Sequence, residues 1–430
     1  MLTAFANAFR TPDLRRKLLF VLLIIVVFRA GSQIPAPGVD VGNVQTCLND
    51  ADNGLYNLIN LFSGGALLQL TIFALGIMPY ITASIILQLL VVVIPRLEAL
   101  KKEGQSGQTK ITQYTRYLTL GLALLQATGI VALARSGNLL QNCNQPLLVD
   151  NGTQTFLVMV ITMTAGTAVI MWLGELITER GIGNGMSILI FTQVVATFPG
   201  TLWAVGKDQG WWTFGVVILV GLVIVAAVIF IEQAQRRIPV QYARRMVGRK
   251  MFGGSSTYIP LKVNQAGVIP VIFASSLLYL PAMAAQFNQN SDTAWVRFIN
   301  DYLVRGNHPL YMLTFFLLIV FFTYFYVSIT FNPQEVADNM KKYGGFIPGI
   351  RAGKPTEDYL SYVLSRITLP GALYLGLIAL IPLIALVLVN ANQNFPFGGT
   401  SILIMVGVAL DTVKQIESQL QQRNYEGFLR

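Results

Sequence analysis

The sequence predicts an all-α polytopic membrane protein with ten transmembrane helices. Hydrophobic residues fill 54% of the 430 positions and charged residues only 12%, about half the charged share of a typical soluble domain. Apolar runs recur along the chain, most of them long enough as helices to cross a hydrocarbon core ~30 Å thick. The charges are also unevenly placed. With the N-terminus inside, a ten-span parse puts 25 of the 30 Lys and Arg on the inner side with 13 of the 20 acids, and leaves 5 basic and 7 acidic residues outside. That is the positive-inside pattern, so most of the net charge of +10 reflects topology and not a nucleic-acid partner.

The parse places spans near 18–34, 70–94, 117–134, 155–176, 186–205, 214–231, 268–285, 310–329, 369–389 and 400–412. The basic start (Arg10, Arg15, Arg16, Lys17) before Leu18–Phe28 could suggest a cleavable signal. No small-residue cleavage site follows, and the run reads as the first span. Arg29 falls about 18 Å beyond Lys17 at the helical rise. A charge at that depth is a functional candidate, or else it reaches back to water or pairs with a neighbour.

Residues Leu55 to Ile94 form forty consecutive positions without a charge. As one helix they would measure about 60 Å, twice the bilayer core. The stretch therefore breaks. Ser63-Gly64-Gly65 is the expected first break, and Gly76 with Pro79 marks a second. The parse is a half-helix near Leu55–Phe62, an irregular passage, and a span near Leu75–Ile94. Irregular backbone at membrane depth survives only when buried in protein or lining a wet cavity, so the half-helix points to a cavity. Ile77 and Ile81 are four apart and share a helical face. They are either packing residues or a hydrophobic constriction that blocks ions by dewetting.

The inner segment Arg96–Arg116 is polar, with Lys101, Lys102 and Lys110. Cys47 and Cys143, the only cysteines, lie in outer loops without metal-ligand spacing. A Cys47–Cys143 disulfide and two separate thiols are both open. The glycines of TERGIGNGMS (Gly181, Gly183, Gly185) read as a tight reversal between the fourth and fifth spans. A phosphate cradle would need a preceding strand and a following Lys-Ser or Lys-Thr, and both are missing.

The inner segment Glu232–Lys262 holds Arg236, Arg237, Arg244, Arg245, Arg249, Lys250 and Lys262 against one acid. This suggests a docking surface for an acidic or phosphate-bearing partner, or a solvated loop. RNA would fit, although no aromatic interleaving is evident. A second inner segment, Asn332–Arg366, carries both signs, and its Gly344-Gly345 and Pro348-Gly349 predict a looped, projecting hairpin. Two such protrusions imply a sizeable cytosolic partner. After Ile402–Leu410, the residues Val413, Ile416 and Leu420 keep helical spacing, so the last helix projects past the membrane.

The only His is His308, in an outer loop. There is no HExxH, no Cys cluster and no mid-membrane carboxylate pair; Glu175 and Asp411 sit at inner span ends. An ion-coupled transporter usually needs an intramembrane carboxylate, and a membrane-embedded protease needs a nucleophile with its base or a carboxylate dyad. Both remain rival classes. A passive conduit driven by a partner docked on the inner loops accounts for more of the sequence, and no cofactor is expected.

The runs LFSGGAL, FALGIMPYITASIILQLL, TERGIGNGMSILIF, VNQAGVIPVIFASSL, FNPQEVADNMKKYGGFIPGIRAGKPTEDYL and GGTSILIMVGVALDTVKQIESQL resemble the SecY family, channel subunits of the bacterial protein translocase. The resemblance covers about Arg15 to Leu429. It implies two inverted, pseudo-symmetric five-helix halves around an hourglass pore, 1–205 and 206–430, and a non-enzymatic channel for unfolded secretory and membrane proteins. The implied setting is a bacterial plasma membrane with both termini cytoplasmic. The implied partners are SecE, SecG, the SecA motor, the ribosome, and signal peptides with their nascent chains.

By the same resemblance the helix at about 57–67 is a plug that includes Asn57, Leu58, Ile59, Asn60, Leu61, Phe62, Ser63, Gly64 and Gly65. Ile77, Ile81, Ile190, Ile272 and Ile404 match an apolar pore ring, whose sixth position falls on Ala284, smaller than the branched residue usual there. A lateral gate would run between spans two and three on one side and seven and eight on the other. Thr82, Gln88, Asn264 and Ser276 are candidates for its seam or for plain helix packing. Arg249, Lys250 and Arg351 match positions that engage SecA or the ribosome.

Overall fold

The computed structural model describes residues 9, 11–50, 66–67, 69–137, 146–150, 152–242, 245–247, 250–252, 256–287, 297–299, 302, 308–389 and 399–428. The N-terminal helices are α1 (Pro12–Gly31), α2 (Val41–Asp50), α3 (Met78–Val93), α4 (Pro95–Lys102), α5 (Gln105–Arg135), α6 (Thr153–Arg180), α7 (Gly185–Gln209) and α8 (Trp211–Gln233). Strands β1 (Gln235–Tyr242), β2 (Arg245–Val247), β3 (Lys250–Phe252) and β4 (Ser256–Lys262) follow. The chain then forms α9 (Ile269–Phe287), α10 (Pro309–Thr330), α11 (Pro333–Lys342), β5 (Gly345–Phe346), α12 (Lys354–Val389) and α13 (Gly399–Phe428). A helix covers most of each predicted span. Among the described residues five helices are long and apolar enough to cross a membrane alone, and α3 with α4, bent by 99° at Ile94, would make a sixth.

Proline opens helices here. Pro12, Pro79, Pro95, Pro309 and Pro333 all sit in first-turn positions, where a missing N–H is harmless and the fixed φ suits the helix. Pro79 therefore opens α3, and the second break expected at Gly76 with Pro79 falls at the start of that helix, where Gly76 takes φ 56°. Arg29 lies in the last turn of α1 and is half-buried. The boundary expected at 205 falls inside α7, which continues to Gln209 and ends where Gly210 turns the chain at φ 89°.

The α6–α7 reversal is a packing device. Gly183 takes φ 88°, a conformation that costs a residue with a Cβ about 1–2 kcal/mol. A Cβ on Gly185 would collide with the backbone carbonyl of Gly174, so the glycine lets the two helices touch. The Gly185 N–H donates to Thr178 Oγ1 at 2.8 Å, and the Asn184 side chain accepts from the Met186 N–H at 3.1 Å, capping α7.

Along the first part of the chain α3 packs on α5, α5 on α6, α6 on α7, and α1 on α6; further along, α9 packs on α10, α10 on α12, and α12 on α13. The two sets meet where α7 touches α8 and α13, and where α9 touches α3 and α5. Leu14 at the start of α1, Ile182 before α7 and Ile416 late in α13 share one buried cluster. The N-terminal ends of α1 and α7 thus meet the C-terminal part of α13. Lys262, just before α9, reaches Asp411 of α13 at 3.7 Å, which puts the start of α9 at the same end.

The two inner segments, expected as separate protrusions, form one unit. Strand β1 pairs antiparallel with β4 from Gln235↔Lys262 to Gln241↔Ser256, and with β5 on its other edge. Ile238, Val240, Leu261, Met340, Ile347, Leu360 and Val363 form its core, drawn from β1, β4, α11, the residue after β5, and α12. The fold is therefore not wholly helical. The looped hairpin expected over 332–366 is instead helix, short strand and helix. Asn332 caps α11 by accepting from Gln334 N–H at 3.2 Å and Glu335 N–H at 3.4 Å, and Gly344 at φ 73° follows its end.

Candidate functional site

Five isoleucines from four helices lie in the large buried core that also takes residues from α1, α6, α8, α10 and α12. Ile77 is the N-cap of α3 and Ile81 lies in its first turn; Ile190, Ile272 and Ile404 come from α7, α9 and α13. None is more than 9% exposed, and all five belong to a single buried apolar cluster. Ala284 lies on α9, but its side chain falls outside the described residues. Val194, one turn beyond Ile190 on the same face of α7, is fully buried in the same cluster. The sequence reading passed it over, although a branched residue four positions after Ile190 was a visible signal.

The irregular passage before α3 is packed in protein. Leu70 (φ 49°) and Gly76 (φ 56°) take left-handed conformations, yet Leu70, Thr71, Ala74 and Ile77 are all buried. Its backbone is satisfied by the segment after α1: the Ala36 N–H donates to the Leu70 carbonyl at 2.9 Å and the Ile72 N–H to the Ile34 carbonyl at 3.0 Å. Phe73 stacks on Phe28 of α1 at 5.8 Å between centroids. A Cβ on Gly166 of α6 would meet the Ile72 carbonyl, so a glycine there lets the passage lie against the helix. This is the burial that non-helical backbone at membrane depth requires. Of the half-helix expected near 55–62 and the plug expected at about 57–67, residues 55–65 lie outside the described residues, while Ala66 and Leu67 are buried.

The seam candidates separate. The Thr82 hydroxyl is buried and donates to the Met78 carbonyl of its own helix at 3.0 Å. Gln88 is exposed. Asn264 is buried before α9; its Nδ2 donates to Glu232 Oε2 at the end of α8 at 2.9 Å and to the Gly267 carbonyl at 3.2 Å. That contact ties α8 to the chain entering α9, a packing role. Ser276 is buried on α9, and its Oγ has no hydrogen-bond partner among the described residues. Helix α9 itself lies against both α3 and α5.

The inner unit gathers cations from both segments. Arg236, Arg237, Lys341, Lys342, Arg351 and Lys354 are exposed on it. Arg237 lies over the Tyr258 ring of the neighbouring strand β4 at 4.9 Å. Arg351 sits in the turn between β5 and α12, where its carbonyl accepts from buried Thr356 Oγ1 at 2.8 Å. Lys250 begins β3, which pairs with β2; Arg249 lies outside the described residues. This surface suits an acidic or phosphate-rich partner. The inner carboxylates are paired with cations, Glu175 with Arg116 at 2.8 Å and Asp411 with Lys262. Among the described residues no group of His, Cys, Asp and Glu is placed to hold a metal. Cys47 is 3% exposed and disulfide-bonded; the chain's other cysteine, Cys143, lies outside the described residues.

Residues 71–413 match the SecY protein family. The chain is 70% identical over 438 residues to the protein translocase subunit SecY of Streptomyces galbus, covering all of both chains. It is 59% identical over 441 residues to that of Mycobacterium tuberculosis, again over both full lengths. Among solved structures its fold is similar to that of a protein-conducting channel, with a TM-score of 0.61 at 19% identity, covering 94% of this chain and 91% of that one. It is also similar to Sec61 in the canine ribosome–channel complex from the endoplasmic reticulum, with a TM-score of 0.58 at 18% identity and the same coverages.

Proposed function

The chain belongs to the SecY family, and from that premise we propose the following account of how it works. It is a protein translocase subunit and forms the channel through which unfolded polypeptide moves. The observation that supports the account is that Ile77, Ile81, Ile190, Ile272 and Ile404, the family's ring positions, are all buried in the one apolar core shared by both sets of helices. Saturated, branched and uncharged side chains hold neither ions nor ordered water, so a constriction made of them stays dry when empty. They also yield to any side chain pushed through, because dispersion contacts are individually weak and non-directional. Val194 joins this collar, and Ala284 supports it as the sixth family position. Residues 57–65 act as the plug.

The lateral exit opens where α9 meets α3 and α5. Leaving it is favourable for Leu- or Phe-rich segments and unfavourable for Asp- or Lys-rich ones, as insertion energies require. The chain divides functionally into halves near Gly210, hinged on the side where α7 meets α8 and α13. The channel itself carries out no covalent chemistry; the work comes from a partner on the basic inner unit. That partner is an ATPase motor of the SecA kind or a translating ribosome, whose RNA supplies phosphate for Arg249, Lys250 and Arg351. Small SecE- and SecG-type subunits complete the complex in a bacterial plasma membrane, with both termini cytoplasmic.

The test is transport into sealed membrane vesicles in which this chain is the sole channel subunit. A signal-bearing unfolded precursor, added with motor and ATP, should become protected from external protease. Gradient-driven uptake of a small solute without any precursor protection would overturn the proposal.

A further inference from the structure

The apolar collar is bordered by polar groups with nothing to bond. Among the described residues, buried side-chain polar atoms without a hydrogen-bond partner are Gln193 Nε2 and Oε1, Ser276 Oγ, Ser401 Oγ and Asn264 Oδ1. Asn264 stands apart, near the end where α8 finishes. The other three share a pattern. Gln193 follows Ile190 by three residues, Ser276 follows Ile272 by four, and Ser401 precedes Ile404 by three. Each therefore lies on the face that carries its isoleucine, displaced by about 4.5 to 6 Å along the helix.

The displacement has one direction in space. The starts of α7 and α9 and the late part of α13 share an end of the molecule, so α13 runs opposite to the other two. Moving forward along α7 and α9, and backward along α13, is moving the same way. The three residues are 1%, 6% and 1% exposed. By this count they fall at a similar level along their three helices, beyond the isoleucines as seen from the basic unit.

We infer that Gln193, Ser276 and Ser401 form a binding site for the backbone of an extended polypeptide leaving the collar. The inference rests on the channel reading above and adds a ligand chemistry to it. An unfolded chain in the collar has lost water from its N–H and C=O groups, and both must be met again at once. A carboxamide and two hydroxyls can each donate and accept, and they are neutral. They suit amides that alternate donor and acceptor whatever the sequence, and they offer no charge on which an ion or an acidic or basic side chain would stall. With the channel empty the same groups have no hydrogen-bond partner among the described residues.

The test uses membrane vesicles with the chain as sole channel subunit, a signal-bearing unfolded precursor as probe, and Gln193→Leu, Ser276→Ala and Ser401→Ala singly and together. Ser275→Ala is the control, since its hydroxyl already donates to the Ile272 carbonyl at 2.9 Å. The triple variant should translocate roughly five- to tenfold more slowly, a barrier change equivalent to about one lost hydrogen bond. Its idle form should melt a few degrees higher, because buried unsatisfied groups are gone. The control should change neither. Parent-rate transport by the triple variant overturns the inference. So does a lower melting point, which means simple packing, and so does a changed ion leak with unchanged transport, which means a water site only. Failure of the parent itself to protect precursor would count against the channel reading instead.

Discussion

Arg116 of α5 grips Glu175 of α6 with both prongs of its guanidinium, Nε to Oε1 and Nη2 to Oε2, each at 2.8 Å, while Nη1 donates to Gln113 Oε1 at 2.9 Å. The fork fixes the rotation of two adjacent helices just where one would otherwise carry an unpaired carboxylate. Charge-assisted bidentate pairs are the stronger kind, but this one is partly open to solvent, with 42% and 24% of the two side chains exposed. Glu175→Gln should therefore cost about 1 kcal/mol. Arg116→Lys should cost nearly as much, because a point charge cannot reproduce the planar fork. Thermal melting of the purified protein at low and high salt checks both.

The isoleucine collar makes a sharper prediction. Replacing Ile81 or Ile404 with Asn puts an amide into the buried cluster, at a cost to the closed state of roughly 1–3 kcal/mol. That would shift the balance between closed and open by roughly five- to a hundredfold. Export of precursors with defective signals should rise, and idle vesicles should leak ions. Unchanged rejection of such precursors would remove these residues from the gate.

Arg351 stands on the inner unit, far in sequence from the collar and exposed in a turn held by Thr356. Arg351→Glu should lower motor-driven translocation several-fold while leaving the thermal midpoint within about 0.5 kcal/mol of the parent, as surface substitutions usually do. Export at the parental rate with an ATPase motor would exclude it from partner engagement.

Cys47 is disulfide-bonded, and Cys143 is the only other cysteine. Non-reducing peptide mapping should recover the two as one linked pair. Opening it should destabilise the outer loops by about 2–4 kcal/mol, read as earlier melting under reductant. Both residues recovered as free thiols would contradict the pairing.

The positions of the helices, the break before α3 and the tight reversal at Gly183 were legible in the sequence. A bilayer acts as a solvent with a fixed thickness, so run length and charge placement alone set the spans, and glycine marks where backbone must bend or touch. Other features were not legible. The inner segments 232–262 and 332–366 read as two protrusions because the ladder from β4 through β1 to β5 joins residues about a hundred positions apart. The span expected from Leu75 begins as a helix only at Met78, because its first turn depends on where the irregular passage ends.

By itself the sequence determined a helical membrane protein with unevenly placed charges and one segment too long to cross once, since those properties are summed residue by residue along the chain. Only the tertiary structure decided that isoleucines from α3, α7, α9 and α13 are buried in one core, and that Gln193, Ser276 and Ser401 are buried without hydrogen-bond partners among the described residues. The physical reason is direction. Whether a residue three before an isoleucine and a residue three after another lie together depends on which way each helix runs, and that follows from how the ends of α7, α9 and α13 pack.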